Sequence, residues 1–323
     1  MELHHVDTED GWRVRLFRFP GDKPVLFVHG MGANHYNFDL NERHSLARHV
    51  ARAGYDCWVV ELRGRGESQK LEGKGDDWDF EDFLNQDLKA CLATLAEHNP
   101  GPVHWVGHSM GGMLGLAMAA SEMADSLRSL TLFGTPLGFS GQWMLKAWGA
   151  MAQVHRVLPT MDQEKWGRRM LPLVRRNRKA VDFFLRFLAN PDNVDEETSL
   201  DIFEKLVTNE APGIILQFSD WVRSGHVRSK NKQVDYTEAL NRVRTPSLFI
   251  SGVQDRMSPP KNTRRWISRL ASKEKRFLEL SVKTGFSADY GHGDLLMGKR
   301  APEEVYPLAV NWLREVDEQL KIS

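Results

Sequence analysis

Alternating and continuous runs of apolar residues divide the first part of the chain into predicted strands and helices. Residues 12–18 (WRVRLFR) alternate between apolar and charged side chains, which predicts a half-exposed strand at an edge of a sheet. Continuous apolar runs, as expected for buried strands, follow at 24–30, 56–62, 103–107 and 129–134. Helical patterns near 43–53 and 80–97 lie between these runs. Strands that alternate with helices predict a parallel sheet with right-handed crossovers.

The strand pattern stops after residue 136 and returns only at residue 246. From about Leu137 to Leu240 the spacing of apolar residues is that of helices rich in Trp, Met, Phe and Arg. Strand-like runs resume at 246–252 and 276–282, and a last helix is predicted from about Pro302 to Leu320. We therefore divide the chain into a core domain, formed by residues 1–136 and 241–323, and a helical insertion at 137–240.

A G-x-S-x-G pentapeptide, Gly107 to Gly111, lies where the strand at 103–107 meets a helical segment of small residues. A strand that turns directly into a helix strains the backbone of the middle residue, and side chains two positions before and after it would collide. Glycine at both positions is what such a turn requires. The turn would expose the hydroxyl of Ser109 at the carboxyl end of the sheet, in front of a helix N-terminus that favours negative charge.

A serine hydroxyl acts as a nucleophile when a base removes its proton and an acid orients that base. Asp255 follows the strand at 246–252, and His292 lies between two glycines in the loop after the last strand. Both loops are predicted at the same edge of the sheet as Ser109. The sequence therefore predicts a triad of Ser109, Asp255 and His292, with Asp289 and Asp294 as alternative acids beside the histidine.

A tetrahedral intermediate also needs hydrogen-bond donors that point at its oxygen. Two backbone N–H groups can provide them. One belongs to Met110, directly after the serine, and the other to Met31 in the HGMG loop at 29–32. The side chains at these two positions matter little, because the donors belong to the backbone.

These separated motifs together resemble the α/β-hydrolase superfamily, from about Pro24 to Leu320. The resemblance rests on HGMG (29–32), ELRGRGES (61–68), GHSMGG (107–112), GVQDRMSPP (252–260) and YGHGDLL (290–296). It implies an α/β fold of the α/β-hydrolase type, with a mostly parallel eight-stranded sheet flanked by helices. The insertion at 137–240 would then be a helical cap between the sixth and seventh strands.

A narrower likeness connects the chain with the acid-lipase-like branch and its bacterial relatives. It rests on NHYNFD (34–39), DDWDFEDFLNQDLKACL (76–92) and GHGDLLMGKRAPEEVYPLAVNWL (291–313). The likeness implies hydrolysis of carboxylic esters, and we expect a serine hydrolase that works through an acyl-enzyme intermediate. The aromatic and sulfur-bearing side chains of the insertion favour an apolar, medium or long acyl group. Trp143, Met144 and Trp148 of the cap are expected to line the substrate pocket.

The same catalytic groups also serve other reactions, which the sequence leaves open. Thioesterases, lactonases, carbon–carbon bond hydrolases and acyltransferases share the triad, and a ligand-binding receptor of this fold is the alternative without catalysis. Relatives that use aspartate at the elbow, such as haloalkane dehalogenases and epoxide hydrolases, are excluded because this chain has Ser109 there.

Composition excludes several further classes. Lys plus Arg and Asp plus Glu both number 43, so a net charge of zero gives no general attraction to nucleic acid. The two cysteines offer neither a disulfide framework nor metal-ligand spacing, and we expect no metal and no organic cofactor. The charged start is unlike a signal peptide and no apolar run is long enough to span a membrane. We therefore expect a cytoplasmic enzyme acting on small-molecule esters, lipid-like esters included, with membrane contact and oligomeric state left open.

Overall fold

A twisted sheet with helices on both faces forms the core of the computed structural model, which describes residues 1–71, 77–139, 163–176, 182, 186 and 188–322. The strands, in chain order, are β1 (Glu2–Asp7), β2 (Trp12–Phe19), β3 (Lys23–Val28), β4 (Tyr55–Glu61), β5 (Gln69–Lys70), β6 (Val103–His108), β7 (Leu127–Phe133), β8 (Ser247–Gly252) and β9 (Lys275–Leu280). Eight of them lie in the order β1-β2-β4-β3-β6-β7-β8-β9, and the short β5 pairs with β2. Neighbouring strands from β4 to β9 are parallel, whereas β2 is antiparallel to β1, β4 and β5.

The helices connect the strands and cover the sheet. In chain order they are α1 (Leu46–Arg52), α2 (Phe80–Asp82), α3 (Lys89–His98), α4 (Met110–Ala119), α5 (Gln163–Arg176), α6 (Glu196–Asp201), α7 (Pro212–Ser224), α8 (Tyr236–Ala239), α9 (Pro260–Ile267), α10 (Asp294–Met297), α11 (Ala301–Glu304) and α12 (Tyr306–Ile322). A π-helical segment, Phe83–Leu88, joins α2 to α3, and a second, Ile202–Leu206, follows α6. The predicted mostly parallel sheet flanked by helices is confirmed.

The predicted edge position of residues 12–18 is wrong. β1 pairs with β2 from Glu2 to Asp7, so that β2 lies inside the sheet and β1 forms the edge. The charged side chains that suggested exposure are instead paired, since Arg15 lies 3.4 Å from Glu61 and Arg18 lies 2.9 Å from Asp56. Alternation of apolar and charged residues reports the two faces of a strand, and it does not report how many neighbours the strand has.

Both faces of the sheet are buried under apolar side chains. On β3, Leu26 and Val28 belong to one apolar cluster, whereas Val25 and Phe27 belong to a second. Alternate residues of a strand point to opposite faces, so these two clusters lie on opposite sides of the sheet. This double burial explains why the central strands read as continuous apolar runs.

The described part of the insertion is helical and packs on the core. Between β7 and β8 the described residues form helices α5 to α8 and contain no β-strand. Leaving the short β5 aside, this segment lies between the sixth and seventh strands, as predicted. Trp221 of α7 packs edge-on against Phe80, with ring centroids 5.2 Å apart, and the N–H of Gly213 donates to Asp77 at 2.6 Å. Within the described residues, no helix combines the length and apolar character that a bilayer span requires.

A buried carboxylate ties the last helix to the amino end of the sheet. Asp317 of α12 accepts hydrogen bonds from Tyr55 at 3.1 Å and Arg128 at 3.0 Å, and it pairs with Lys23 at 2.7 Å and His104 at 3.3 Å. Burial acts to raise the pKa of Asp317, but its hydrogen bonds from His104 and Lys23 outweigh that effect and hold the pKa well below its usual range.

Asp317→Asn is expected to lower the free energy of unfolding by about 1–3 kcal/mol at pH 7, because the amide loses the charge-assisted hydrogen bonds. Since the folded-state pKa is depressed, the carboxylate stabilises the fold above its unfolded pKa of about 4, and this stabilisation is lost as the pH falls below that value. Urea unfolding of both proteins at pH 7 and pH 3 measures the effect. If the wild type and the variant differed in free energy of unfolding by the same amount at pH 7 and pH 3, the stabilising role of the Asp317 carboxylate would be contradicted.

Candidate active site

The backbone is strained where β6 turns into α4. Ser109 stands between these two elements with φ 53° and ψ −118°, and Lys232 is the only other described non-glycine residue with a positive φ. The N–H of Ser109 donates to the carbonyl of Phe133 on the neighbouring β7 at 2.9 Å. Strain of this kind persists only where the surrounding structure over-determines the conformation, and it is concentrated at functional sites.

Both glycines of the pentapeptide are required by space. A Cβ atom on Gly107 would lie 2.6 Å from the backbone of Gly111, which is the collision expected from the sequence. A Cβ atom on Gly111 would lie 1.9 Å from the carbonyl oxygen of Val28. The second conflict involves the adjacent strand β3, so the glycine also lets the new helix start directly against the centre of the sheet.

Asp255 and His292 meet as a buried hydrogen-bonded pair. Oδ2 of Asp255 lies 2.8 Å from Nδ1 of His292, and the two residues are 3% and 6% exposed. The other carboxylate oxygen accepts the N–H groups of Met257 at 2.9 Å and Ser258 at 2.7 Å, which orients the carboxylate. With Nδ1–H donated to the carboxylate, a neutral imidazole has its lone pair on Nε2 and can act there as a base.

The two alternative acids have other partners. Asp294 accepts the N–H groups of Gly291 at 2.9 Å and Asn190 at 3.0 Å, and the amide of Asn193 at 2.8 Å. Burial raises the pKa of Asp294, against the effect of these hydrogen bonds. Asp289 accepts the N–H of Val282 at 2.9 Å. Among the described carboxylates, only Asp255 bonds the ring of His292, whereas Asp294 holds the loop that carries it.

Ser109 and the Asp255–His292 pair both lie against the end of β7. A Cβ atom on Gly134, the residue after Phe133, would lie 2.9 Å from Nδ1 of His292 and 3.0 Å from Oδ2 of Asp255. Because Phe133 accepts the N–H of Ser109, the end of β7 touches both the elbow and the acid–histidine pair. Among the described residues, the structure gives no hydrogen bond between the hydroxyl of Ser109 and His292.

Two polar residues around the elbow were not found from the sequence. His108, which directly precedes the serine, packs its ring against that of His292 with centroids 4.7 Å apart, and its Nε2 lies 3.3 Å from the carbonyl oxygen of His292. Its Nδ1 lies 3.0 Å from Oδ1 of Asn37. Burial lowers the pKa of His108 well below its usual value, so the ring is neutral at pH 7. Asn37 lies in the NHYNFD motif, but the sequence assigns it no role, because its contact with His108 joins segments that are far apart in the chain.

The HGMG loop lies against the elbow and leaves one N–H group open. A Cβ atom on Gly30 would lie 3.2 Å from Cβ of Ser109. The N–H of Gly30 donates to Asn37 and that of Gly32 to Glu210, each at 3.0 Å. Between them, the N–H of Met31 donates to no group among the residues that the structure describes.

A second open N–H belongs to Met110. Met110 is the first residue of α4, so its N–H has no acceptor inside the helix. No other group among the described residues accepts this N–H. Nearby, His29 donates from Nδ1 to Gly30 O at 2.9 Å and accepts the N–H of Leu62 at 3.3 Å. Burial lowers the pKa of His29 to about 3, so its ring is a neutral support for the loop.

The pocket residues expected from the sequence, Trp143, Met144 and Trp148, lie outside the described residues. Across the described part of the chain, no group of three or more His, Cys, Asp or Glu residues is arranged to hold a metal ion. The described site therefore consists of the elbow, the acid–histidine pair and the two backbone donors.

A family comparison agrees with this architecture. The family model described as "alpha/beta hydrolase fold" matches residues 23–288. The chain therefore belongs to the α/β-hydrolase fold family, and the resemblance inferred from its motifs is confirmed.

Curated relatives match the chain at modest identity. The poly(3-hydroxyalkanoate) polymerase subunit PhaC of Haloarcula marismortui is 21% identical over 98% of this chain and 66% of that protein. The human lysosomal acid lipase/cholesteryl ester hydrolase is 31% identical over 41% of this chain and 37% of that protein. The chain thus spans less than two thirds of the length of either relative.

A solved structure extends the likeness over the whole fold. The structure of a thermophilic esterase from Thermogutta terrifontis is 20% identical, covers 98% of this chain and 99% of that one, and has a TM-score of 0.66. A monoacylglycerol lipase from Paleococcus ferrophilus is 18% identical, with coverage of 98% and 100% and a TM-score of 0.62. At these identities the likeness concerns the fold.

Gly111→Ala is expected to lower the free energy of unfolding by about 2–4 kcal/mol, because the added methyl group would force α4 away from β3. Gly293→Ala is the matched control, since the nearest atom to its new Cβ would be the carbonyl oxygen of Leu188 at 3.1 Å. Urea unfolding measures both variants. Equal losses in the two variants would show that the contact with Val28 does not require glycine.

Proposed function

We propose that the protein is a serine ester hydrolase with Ser109 as nucleophile, His292 as base and Asp255 as the acid that orients the base. The observation that carries this proposal is the buried 2.8 Å contact between Asp255 and His292 beside a strained serine elbow. A buried, oriented imidazole near a serine at the carboxyl edge of the sheet is the arrangement that activates a hydroxyl. The names of the esterase and lipase relatives support the same assignment.

In the first half of the reaction, Nε2 of His292 removes the proton of Ser109 as the oxygen attacks the carbonyl carbon of the ester. Asp255 keeps Nδ1 protonated and stabilises the imidazolium that forms. The oxyanion of the tetrahedral intermediate accepts the N–H groups of Met31 and Met110, which are open among the described residues. Collapse of the intermediate releases the alcohol, which takes the proton from His292, and leaves Ser109 acylated.

Water completes the cycle. His292 removes a proton from the water as it attacks the acyl-enzyme, and a second oxyanion forms in the same position. Breakdown of this intermediate releases the carboxylic acid and returns the proton to Ser109. Every proton transfer runs through one imidazole, so no metal or organic cofactor takes part in the proposed steps.

The substrate proposal rests on the relatives and on the insertion. One relative is named a cholesteryl ester hydrolase and another a monoacylglycerol lipase, and both names support esters with an apolar, medium or long acyl group as substrates. We assign residues 1–136 and 241–323 to the catalytic core and residues 137–240 to a cap over the site. Trp143, Met144 and Trp148 are proposed to line the acyl pocket of that cap.

Acyl transfer is the second candidate function. The relative that covers 98% of this chain is named a poly(3-hydroxyalkanoate) polymerase subunit, and such a polymer grows by forming ester bonds. The proposed acyl-enzyme would serve this reaction if a hydroxyl group, in place of water, attacked it. Product analysis with and without an added alcohol acceptor distinguishes transfer from hydrolysis.

Turnover of p-nitrophenyl esters of graded chain length tests the reaction and the pocket together. We expect hydrolysis that increases from acetate to medium or long chains, because an apolar pocket gains binding energy with each added methylene group. A fluorophosphonate probe should label the wild type stoichiometrically and leave Ser109→Ala unlabelled. An inert wild type would favour the ligand-binding alternative, and a maximum at acetate would disprove the long-acyl pocket.

Asp255→Asn is expected to lower kcat by about three to four orders of magnitude while the fold persists, because the imidazole loses its correct tautomer. Asp289→Asn is the matched control, since Asp289 bonds the backbone of Val282 and has no described contact with the ring. Steady-state kinetics and thermal unfolding of both variants provide the readout. If Asp255→Asn kept near-normal activity, the acid would have to be reassigned.

A further inference from the structure

We infer that Glu210, a residue of the insertion, is a positioning residue for the oxyanion loop, which we define as His29–Gly32. Its Oε2 accepts the N–H of Gly32 at 3.0 Å, one residue beyond Met31. The inference rests on the proposed function, because the loop acts in catalysis only if the N–H of Met31 binds an oxyanion. It assigns that loop a support outside the catalytic core.

The carboxylate of Glu210 is buried and held by a charged partner. Its side chain is 1% exposed, and its Oε1 accepts hydrogen bonds from the guanidinium of Arg65 and from the N–H of Ala211 at 3.1 Å. Arg65 is fully buried and also donates to the carbonyl of Asn209. A buried carboxylate with three donors has a single favoured orientation, so Oε2 presents a fixed acceptor to the loop.

Further contacts join the same segment of the insertion to the oxyanion loop and the residues after it. The N–H of Thr208 donates to Gly32 O at 3.0 Å, and its hydroxyl donates to Ala33 O at 3.2 Å. The amide of Asn34 donates to Lys205 O at 2.7 Å. Residues 205–210 therefore form one wall against which residues 32–34 are hydrogen-bonded.

Met31 lies between two fixed points. On its amino side the N–H of Gly30 donates to Asn37, which belongs to the core, and on its carboxyl side the N–H of Gly32 donates to Glu210 of the insertion. Peptide units are planar, so fixing the two flanking N–H groups limits the direction of the N–H of Met31. A shift of about 1 Å in such a donor is enough to cost a large part of its catalytic effect.

The position of residues 205–210 therefore affects how well the proposed oxyanion hole stabilises the transition state. Movement of residues 205–210 would withdraw the acceptor of Gly32 and free the loop on one side. The effect should appear in the transition state more than in substrate binding, because the ester carbonyl in the ground state carries little negative charge.

The test compares wild type with Glu210→Gln, Glu210→Ala and the double variant Arg65→Met/Glu210→Ala. The double variant leaves no unpaired buried charge, so it stays informative if Glu210→Ala fails to fold. We expect kcat to fall at least tenfold in the double variant with KM changed less than threefold, and a smaller loss in Glu210→Gln, which keeps an oxygen for Gly32. Affinity for a trifluoromethyl ketone that forms a tetrahedral adduct with serine should fall in parallel with kcat/KM.

Two control variants separate positioning from stability. Asp87→Asn breaks another buried ion pair, in which Asp87 lies 2.8 Å from Arg63, and should lower the melting temperature without a selective loss of ketone affinity. Glu204→Gln changes an exposed glutamate directly before residues 205–210 and should behave like the wild type.

Amide hydrogen exchange of the peptide covering residues 29–38 gives a readout that does not depend on catalysis. Exchange should be faster in the Glu210 variants than in Asp87→Asn. Unchanged exchange in the double variant would overturn the inference even if the wild type proved inactive on esters. Wild-type kcat and ketone affinity in a folded double variant would also overturn it, while the Ser109-dependent activity of the wild type would leave the proposed function intact.

Discussion

The backbone turn at Ser109 is the constraint on which the candidate site depends. A serine at φ 53° is strained, and it is held because the strands on both sides of β6 leave the turn no room to relax. β7 accepts the N–H of Ser109 through Phe133, and β3 places the carbonyl of Val28 against Gly111. Relaxing the turn would therefore mean separating the central strands of the sheet, where both faces are buried.

A parallel sheet explains why the proposed catalytic groups come from distant parts of the chain. The loops that carry Met31, Ser109, Asp255 and His292 each follow a strand whose neighbours run in the same direction, so all four leave the sheet at its carboxyl edge. Each loop then depends on buried polar residues behind it. Asp294 holds the histidine loop, and Asn37 and Glu210 hold the HGMG loop from opposite sides.

Local patterns were reliable where one interaction dominates. Buried parallel strands need apolar side chains on both faces, and the central strands were therefore found within one or two residues of their ends. Chain geometry alone explains Gly107, whereas the contact of Gly111 with Val28 of β3 comes from the tertiary structure. The edge assignment of 12–18 failed because Arg15 and Arg18 are neutralised by Glu61 and Asp56, acids that lie far away in the chain.

The sequence by itself determined the class of fold and the position of the elbow, and it predicted Ser109, Asp255 and His292 as a triad with two alternative acids, because each depends on a residue type at a fixed distance from a strand end. Only the tertiary structure decided which carboxylate bonds His292, that His108 contacts it, and that the oxyanion loop is fixed by Asn37 and Glu210. Most of these hydrogen bonds join residues that are distant in the chain, and all of them depend on distances of a few tenths of an ångström. They arise from how strands and loops pack, and no local pattern of residues encodes that packing.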